Sequence, residues 1–262
     1  MKKLLVVLLA VCMLFAFAAC GSEPAVDDNP GAEGTAAGDN VLTMATNATF
    51  PPYEFYDGGQ IVGIDAEIVG AVAEKLGMEL EIVDMEFGSI IAAVQTGKVD
   101  LGAAGMTVTP DREKSVSFTT SYATGVQVVI VPVDSPINSI DDLMAEGAEY
   151  KIGVQQDTTG DIYATDDFGE EAVARYAKGP DAVMAMTSGK VDCVIIDNEP
   201  AKAYIADKPD LKILDSAYVT EDYAICIAKE NTELLDSINN ALAELTADGT
   251  IDGIIAKYIS AE

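Results

Sequence analysis

One sequence pattern occurs twice in the chain. The two copies are Ala92-Ala93-Val94-Gln95-Thr96-Gly97-Lys98-Val99-Asp100 and Met184-Ala185-Met186-Thr187-Ser188-Gly189-Lys190-Val191-Asp192. In each copy an apolar helical segment ends at a glycine, a common residue just beyond a helix C-terminus. The chain then turns through Lys-Val-Asp into an apolar strand. This repetition predicts two similar α/β lobes.

Strands and helices alternate outward from both copies. Strands are predicted at 41–46, 79–83, 99–103, 125–131, 151–154, 191–196 and 223–228, with a hairpin over 53–63. Helices are predicted at 65–76, 89–96, 182–188, 199–206, 232–247 and 251–259, and others begin near 109 and 159. The alternation predicts βαβ units with parallel strands. Ligands of open α/β sheets bind beyond the carboxyl ends of the strands, so we expect the site between the lobes.

The composition excludes several functions. The 262 residues contain 15 Lys plus Arg and 44 Asp plus Glu, for a formal charge of −29, and they contain neither histidine nor tryptophan. Without histidine, a Ser-His-Asp triad and a His-ligated metal site are impossible. Nucleic-acid binding requires a basic surface, which this chain lacks. The apolar fraction of 49% is ample for a packed core.

The first 40 residues have the pattern of a secreted lipoprotein. A basic start, Met1-Lys2-Lys3, precedes an uncharged apolar run over 4–19, which is short for a membrane span and typical of a signal peptide. Residues 17–20 resemble a bacterial lipobox, although Phe17 stands where leucine is usual. We expect a signal peptide over 1–19, a palmitate-bearing lipid on Cys20 and a disordered linker to residue 40. The alternative is an ordinary signal peptide with an incidental cysteine.

Two further cysteines lie in strand-like apolar runs. Cys193 and Cys226 are interpreted as buried small hydrophobic residues rather than as a disulfide. Their spacing leaves both interpretations open.

Few residues carry positive charge, and one of them is a candidate for ligand binding. The chain has two arginines, Arg112 and Arg175. A guanidinium binds a carboxylate through two parallel hydrogen bonds, and Thr107 is close enough in sequence to add its hydroxyl. The alternative role for Arg112 is a surface ion pair with Asp111 or Glu113.

Other candidates follow strand ends. Residues 155–160 follow a strand and begin a helix. The free N–H groups at such a helix start attract an anion. The alternative is a plain capping turn. Asp197 ends an apolar strand and is placed to pair with an ammonium, although it is equally suited to cap the next helix or to remain solvated. Phe50 and Phe87 are aromatic residues that line either the core or a site.

The order of the motifs adds a resemblance. The motifs are Ala45–Phe55, Val62–Asp65, Gly97–Asp100 with Gly105–Arg112, Gly153–Thr159 and Asp248–Thr250. Together they resemble the polar amino-acid-binding proteins of bacterial ABC importers, the family 3 extracellular solute-binding proteins, over residues 41–260. The resemblance implies a two-lobed, type II periplasmic-binding-protein-like α/β fold with two hinge strands. Lobe 1 would comprise 41–124 plus 222–262, and lobe 2 would comprise 125–221.

The resemblance also implies roles for individual residues. Arg112 would hold the ligand carboxylate, assisted by Thr107 and the N–H of Thr159, and Asp197 would take the ammonium with the carbonyl of Gly105. The side chain of the ligand would lie between Phe50 and Phe87, with Asn47 and Gln155 near its far end. Some relatives selective for cationic amino acids carry Asp in place of Asn47, and the absence of that Asp weakens the case for lysine or arginine. Asn47 and Gln155 together suit a polar end group. We expect a polar or cationic side chain, without fixing which.

The expected partners follow from this assignment. They are a free amino acid, the permease and ATPase of the importer, and the outer face of the cell membrane through the lipid on Cys20. A monomer without cofactor, metal or enzymatic activity is expected. Two alternatives are a dehydratase on the same fold, for which Glu54 or Asp157 would be the acid, and a sensory ligand-binding domain that reports to a separate receptor.

Overall fold

The computed structural model describes residues 40–259, so the predicted signal peptide and Cys20 lie outside the described residues. The strands are β1 Val41–Thr46, β2 Thr49–Phe50, β3 Glu54–Asp57, β4 Gln60–Val62, β5 Glu79–Asp84, β6 Leu101–Gly102, β7 Val116–Phe118, β8 Ala123–Pro132, β9 Ile152–Gln155, β10 Val173–Tyr176, β11 Cys193–Asp197, β12 Leu211–Ile213, β13 Val219–Tyr223 and β14 Cys226–Ala228. The helices are α1 Ile64–Leu76, α2 Ile90–Gln95, α3 Ile140–Leu143, α4 Thr159–Phe168, α5 Gly179–Thr187, α6 Asn198–Ile205, α7 Thr232–Ala247 and α8 Thr250–Tyr258.

Two mixed sheets form the centres of two lobes. The first has the strand order β5-β1-β6-β14-β7, with β1 parallel to β5 and β6 and with β14 antiparallel to its neighbours. The second has the order β10-β9-β11-β8-β12, and β13 also pairs with β8. The small sheet β2-β3-β4 contains the predicted hairpin. The predicted α/β class and two-lobed architecture are confirmed, although each sheet also contains antiparallel strands.

The repeated sequence produces the same local structure in both lobes. Gly97 and Gly189 have φ values of 68° and 69°, in the left-handed region where glycine is favoured. Asp100 accepts the backbone N–H of Thr43 at 2.7 Å, and Asp192 accepts the N–H of Lys151 at 2.7 Å. In each lobe the aspartate therefore ties the strand that follows the helix to a neighbouring strand.

Two predicted elements differ from the structure. The predicted strand 223–228 is two strands in different sheets, because the intervening Ala224 donates its N–H to the carbonyl of Met106 and Ile225 donates to the hydroxyl of Thr119. The predicted helix near residue 109 is a 3₁₀ turn at Arg112–Lys114, whose first N–H is accepted by the Thr109 hydroxyl.

Apolar side chains fill both faces of each sheet. Helices α1 and α7 cover one face of the first sheet, with Ile68 and Leu242 buried between them, and helix α5 covers the second sheet through Val183. Cys193 and Cys226 are free and buried in different sheets, as predicted. Within residues 40–259 no helix is both long and apolar enough to cross a membrane.

Candidate functional site

A cavity lies between the two sheets, beyond the carboxyl ends of β6 and β11. It contains about 420 Å³ of space free of protein atoms, part of which is open to solvent. All nine residues singled out from the sequence line it: Asn47, Phe50, Phe87, Gly105, Thr107, Arg112, Gln155, Thr159 and Asp197. The structure therefore brings together side chains from both lobes that are far apart in sequence.

Arg112 is buried in the wall of this cavity. Its Nη1 donates to the carbonyl of Thr107 at 2.8 Å and its Nη2 to the carbonyl of Asp157 at 3.2 Å, while the guanidinium lies 5.1 Å from the ring centroid of Phe87. Burial lowers the pKa of Arg112, although an arginine remains charged at neutral pH. The surface ion pair considered as an alternative is absent, since Asp111 pairs with Lys114 instead.

The amino terminus of α4 faces the same part of the cavity. Thr158 caps the helix by accepting the N–H of Asp161, and Thr159 is the first helical residue. The hydroxyls of Thr159 and Thr107 approach to 3.4 Å across the cleft. A helix start beside a buried guanidinium is an environment that favours an anion. The capping interpretation and the anion-binding interpretation are therefore compatible in this turn.

Asp197 carries the opposite charge and lies on the other side of the cavity. Its Oδ1 accepts the N–H of Glu199 and caps α6, so the predicted capping role is correct. Its Oδ2 accepts the N–H of Val126 at 2.9 Å and the hydroxyl of Tyr223 at 2.8 Å. Burial raises the pKa of Asp197 to about 6, and these hydrogen bonds offset part of that rise. A cation beside Asp197 would stabilise its ionised form.

The remaining wall combines aromatic rings with side-chain amides. Phe50 packs against Gly105, whose φ of 51° and close approach to the ring leave no room for a side chain. Gln155 donates through Nε2 to Asn47 Oδ1 at 2.9 Å, and Asn47 donates to the carbonyl of Met85. No group among the described residues donates to Gln155 Oε1. This oxygen is therefore available to accept from a polar group in the cavity.

The cleft is closed in this structure. Arg112 of one lobe reaches the carbonyl of Asp157 in the other, and Gln155 reaches back to Asn47. The hydroxyl of Tyr204 also donates across the cleft to the carbonyl of Thr49. These contacts join the two lobes directly.

Several lining residues were not predicted from the sequence. Gln127 donates to Glu221 at 2.9 Å, and its Oε1 has no donor among the described residues. A sequence signal existed, because Gln127 is the single polar residue in the apolar run 126–131. Tyr223 also lines the cavity. The sequence pattern had assigned this residue only to a strand. Glu54, considered only as a source of charge or acid, lines it as well.

The arrangement suits a small zwitterion. Arg112 and the start of α4 offer positive charge to a carboxylate, and Asp197 offers negative charge to an ammonium. Within the described part of the chain, no three His, Cys, Asp or Glu side chains are grouped to hold a metal ion.

Comparison with known proteins gives a single family. The model of the bacterial extracellular solute-binding proteins, family 3, matches residues 42–261. The chain is 33% identical over 265 residues to the arginine-binding extracellular protein ArtP of Bacillus subtilis (strain 168), and the alignment covers 100% of both proteins.

Solved structures agree with this match. A mutant of ArgBP from T. maritima superposes with a TM-score of 0.79 and 38% identity, covering 85% of this chain and 96% of that one. An ancestral arginine-binding protein bound to glutamine superposes with a TM-score of 0.79 and 37% identity, covering 85% of this chain and 99% of that one.

Proposed function

Because the chain belongs to the bacterial extracellular solute-binding proteins of family 3, we propose that it binds a free amino acid with a polar or cationic side chain between its lobes. It then delivers this ligand to the permease of an ABC importer. The observation that carries the proposal is that Arg112 and Asp197, with opposite charges, line one closed cavity. A free α-amino acid has the two complementary charges on groups bonded to the same carbon atom.

Each end of the ligand has a proposed partner. The α-carboxylate binds the guanidinium of Arg112, with Thr107 and the N–H of Thr159 as further donors. The α-ammonium binds Asp197 and the carbonyl of Gly105. Phe50 and Phe87 hold the apolar stem of the side chain.

The far end of the side chain meets Asn47 and Gln155. Asn47 Oδ1 already accepts from Gln155, so Gln155 Oε1 is the free acceptor there. An acceptor favours a guanidinium, an ammonium or an amide NH₂ over a carboxylate. Since relatives of this chain are named for arginine and one was solved with glutamine, arginine is the first candidate and glutamine the second.

We also propose how the lobes close and where the protein acts. Its lobes are 41–124 plus 222–262, and 125–221, and ligand binding closes them about β8 and β13. A lipid on Cys20 anchors the protein to the outer face of the cell membrane, and the closed form docks as a monomer on the permease with its ATPase. The negative charge of the chain repels anionic lipid, so the lipid itself must supply the anchoring.

A thermal-shift screen tests the proposed function. The protein is heated with each standard amino acid and with ornithine, citrulline and cystine, because a ligand that binds only the folded state raises the melting temperature. We expect arginine to give the largest shift and aspartate none. Absence of a shift with every compound would contradict the proposed function.

A further inference from the structure

Two acids behind the cavity have no role in the function proposed so far. Glu54 is the first residue of β3 and lines the cavity, and Asp65 is the second residue of α1. Each is 1% exposed. The backbone N–H of Asp65 donates to the carbonyl of Tyr53, the neighbour of Glu54, at 2.9 Å, which brings the two acids together. Buried acids are normally paired with a cation or are neutral, so this contact requires an explanation.

The donors around the two acids are unequally distributed. Asp65 Oδ2 accepts the N–H of Gly105 at 2.8 Å and the hydroxyl of Tyr122 at 2.7 Å. No N–H or O–H group of the described residues donates to Asp65 Oδ1 or Glu54 Oε2. Two carboxylates only accept hydrogen bonds, so a hydrogen bond between them requires a proton on one of them.

The surroundings of the pair favour retention of that proton. The titratable groups that face the two acids are Asp197 and the hydroxyls of Tyr53, Tyr122 and Tyr204. No lysine or arginine of residues 40–259 is among them. Burial raises the pKa of Glu54 well above its usual range, whereas the donors from Gly105 and Tyr122 limit the rise for Asp65 to about 6. The proton therefore lies on Glu54.

We propose that Glu54 and Asp65 form a carboxylic acid–carboxylate pair that positions Gly105 for the ligand's ammonium. Neutral Glu54 donates to ionised Asp65, and Asp65 accepts the Gly105 N–H. This bond fixes the peptide between Ala104 and Gly105 and so places Gly105, whose own carbonyl lies in the next peptide. Asp65 is a positioning residue, since it acts through Gly105. The inference rests on the proposed function, because the orientation of Gly105 affects affinity only if an ammonium binds beside it.

The pair predicts different effects of two conservative substitutions. Glu54→Gln replaces a neutral donor with another neutral donor of the same shape, so it should weaken arginine binding less than Asp65→Asn does. Asp65→Asn removes the charged acceptor of the Gly105 N–H and should weaken binding by about tenfold or more. Glu79→Gln, at an exposed site on β5, is the matched control and should bind like the parent protein. A loss in Glu54→Gln as large as that in Asp65→Asn would overturn the proposal.

The proton is observable without any ligand. Infrared spectroscopy at about pH 7.5, where exposed acids are ionised, should reveal the C=O stretch of a protonated carboxyl group. The band should persist in Glu79→Gln, disappear in Glu54→Gln and move in frequency in Tyr122→Phe, which removes a donor from the same pair. Absence of the band from the parent protein overturns the pair even if a variant fails to fold.

The infrared band tests the acid pair, and the binding measurements test the proposed function, so the two can fail independently. A protonated band that is lost in Glu54→Gln supports the pair even if arginine and the other amino acids do not bind. Normal arginine binding with no protonated band overturns the pair and leaves the proposed function intact.

Discussion

At the scale of single residues, Arg112 is unusual because it is buried with carbonyl oxygens as its hydrogen-bond partners. No ion pair among residues 40–259 includes it, whereas Arg175 pairs with Asp161 and Glu170. A buried charge without a countercharge is costly, and the helix start at Thr159 adds to the positive potential. A carboxylate from the ligand would satisfy this site. We therefore expect Arg112 to act in ligand binding rather than in stability.

Arg112→Ala should weaken binding of every amino acid. Truncating one partner of a desolvated, hydrogen-bonded charge pair costs roughly 2–5 kcal/mol, or a loss of about 30-fold to several thousand-fold in affinity. Isothermal titration with arginine measures the loss. Arg175→Ala is the control, because it removes the other arginine and should lower thermal stability while leaving the affinity within about threefold. A loss smaller than about 30-fold in Arg112→Ala would contradict the carboxylate role.

The affinity should depend on pH through two buried acids. Burial raises the pKa of both Asp65 and Asp197 to about 6. At pH values between the usual aspartate pKa and about 6, the folded, ligand-free protein holds protons that the unfolded chain has released. Its free energy of unfolding therefore falls as the pH rises through this window. The ligand's ammonium favours the ionised acids. The affinity for arginine should therefore weaken as pH falls below about 6 and level off above it.

Titrations across this pH range provide the check. Asp197→Asn should bind weakly and with a reduced pH dependence, because one of the two titrating groups is gone. An affinity that stays flat down to about pH 5 would show that binding depends neither on ionised Asp197 beside the ammonium nor on ionised Asp65 behind Gly105.

The sequence setting of two charged residues that line the cavity made them candidates. Arg112 was recognised because the chain has two arginines, and Asp197 because a carboxylate ends an apolar strand. The Glu54–Asp65 contact was not predicted, since the sequence has 44 acids and nothing in it distinguishes the two that meet. Only the fold of α1 against β3 brings them together.

At the scale of elements, we expect closure of the cleft to depend on the contact between the 3₁₀ turn Phe87–Ser89 and the loop before α4. A Cβ at Gly88 would lie 2.1 Å from Asp157 Oδ2, so the side chain of Asp157 packs directly on the backbone of Gly88 across the cleft. Asp157 has a φ of 64°, a conformation that Asp tolerates better than most residues. The same residue supplies the carbonyl that accepts from Arg112.

Gly88→Ala should therefore impede closure. We expect about tenfold weaker arginine binding, because the added methyl must displace Asp157 in the closed form only. The melting temperature of the ligand-free protein should be nearly unchanged. Gly253→Ala is the control, since a Cβ there meets no atom within 4 Å. Equal affinity in the two variants would exclude a role for the Gly88 contact in closure.

Element boundaries were predictable where one periodicity dominates. The helical pattern gave α7, Thr232–Ala247, at its observed bounds. The apolar run 223–228 was wrongly predicted as one strand, because hydropathy does not reveal which sheet a backbone joins. Its central residues bond to Met106 and Thr119 instead of to a neighbouring strand.

At the scale of the whole molecule, the sequence carries a formal charge of −29, and within residues 40–259 few charged side chains are buried. Such a field favours the approach of a cation and disfavours contact with anionic lipid. The repeat ending at Gly97 and Gly189 was sufficient to predict two lobes. The closed cleft was not predictable, because contacts such as Gln155 with Asn47 join residues whose distance is set by the whole fold.

Cys20→Ser should convert the protein from a membrane-bound into a secreted form. The substitution removes the thiol that would carry the lipid, while the folded lobes are untouched and should bind arginine normally. Detergent partitioning of cell fractions measures the change, with Cys193→Ser as a control that should remain with the membrane. Continued membrane association of Cys20→Ser would contradict the lipid anchor.

The central claim is that the cleft holds a free amino acid by its carboxylate and its ammonium. Calorimetric titration of the protein with arginine and with agmatine, which is arginine without the α-carboxylate, tests it most directly. We predict that arginine binds one-to-one. The affinity for agmatine should be lower than that for arginine by about 100-fold or more, because agmatine leaves Arg112 buried without its countercharge. Equal affinity for the two ligands, or no heat from arginine, would contradict it.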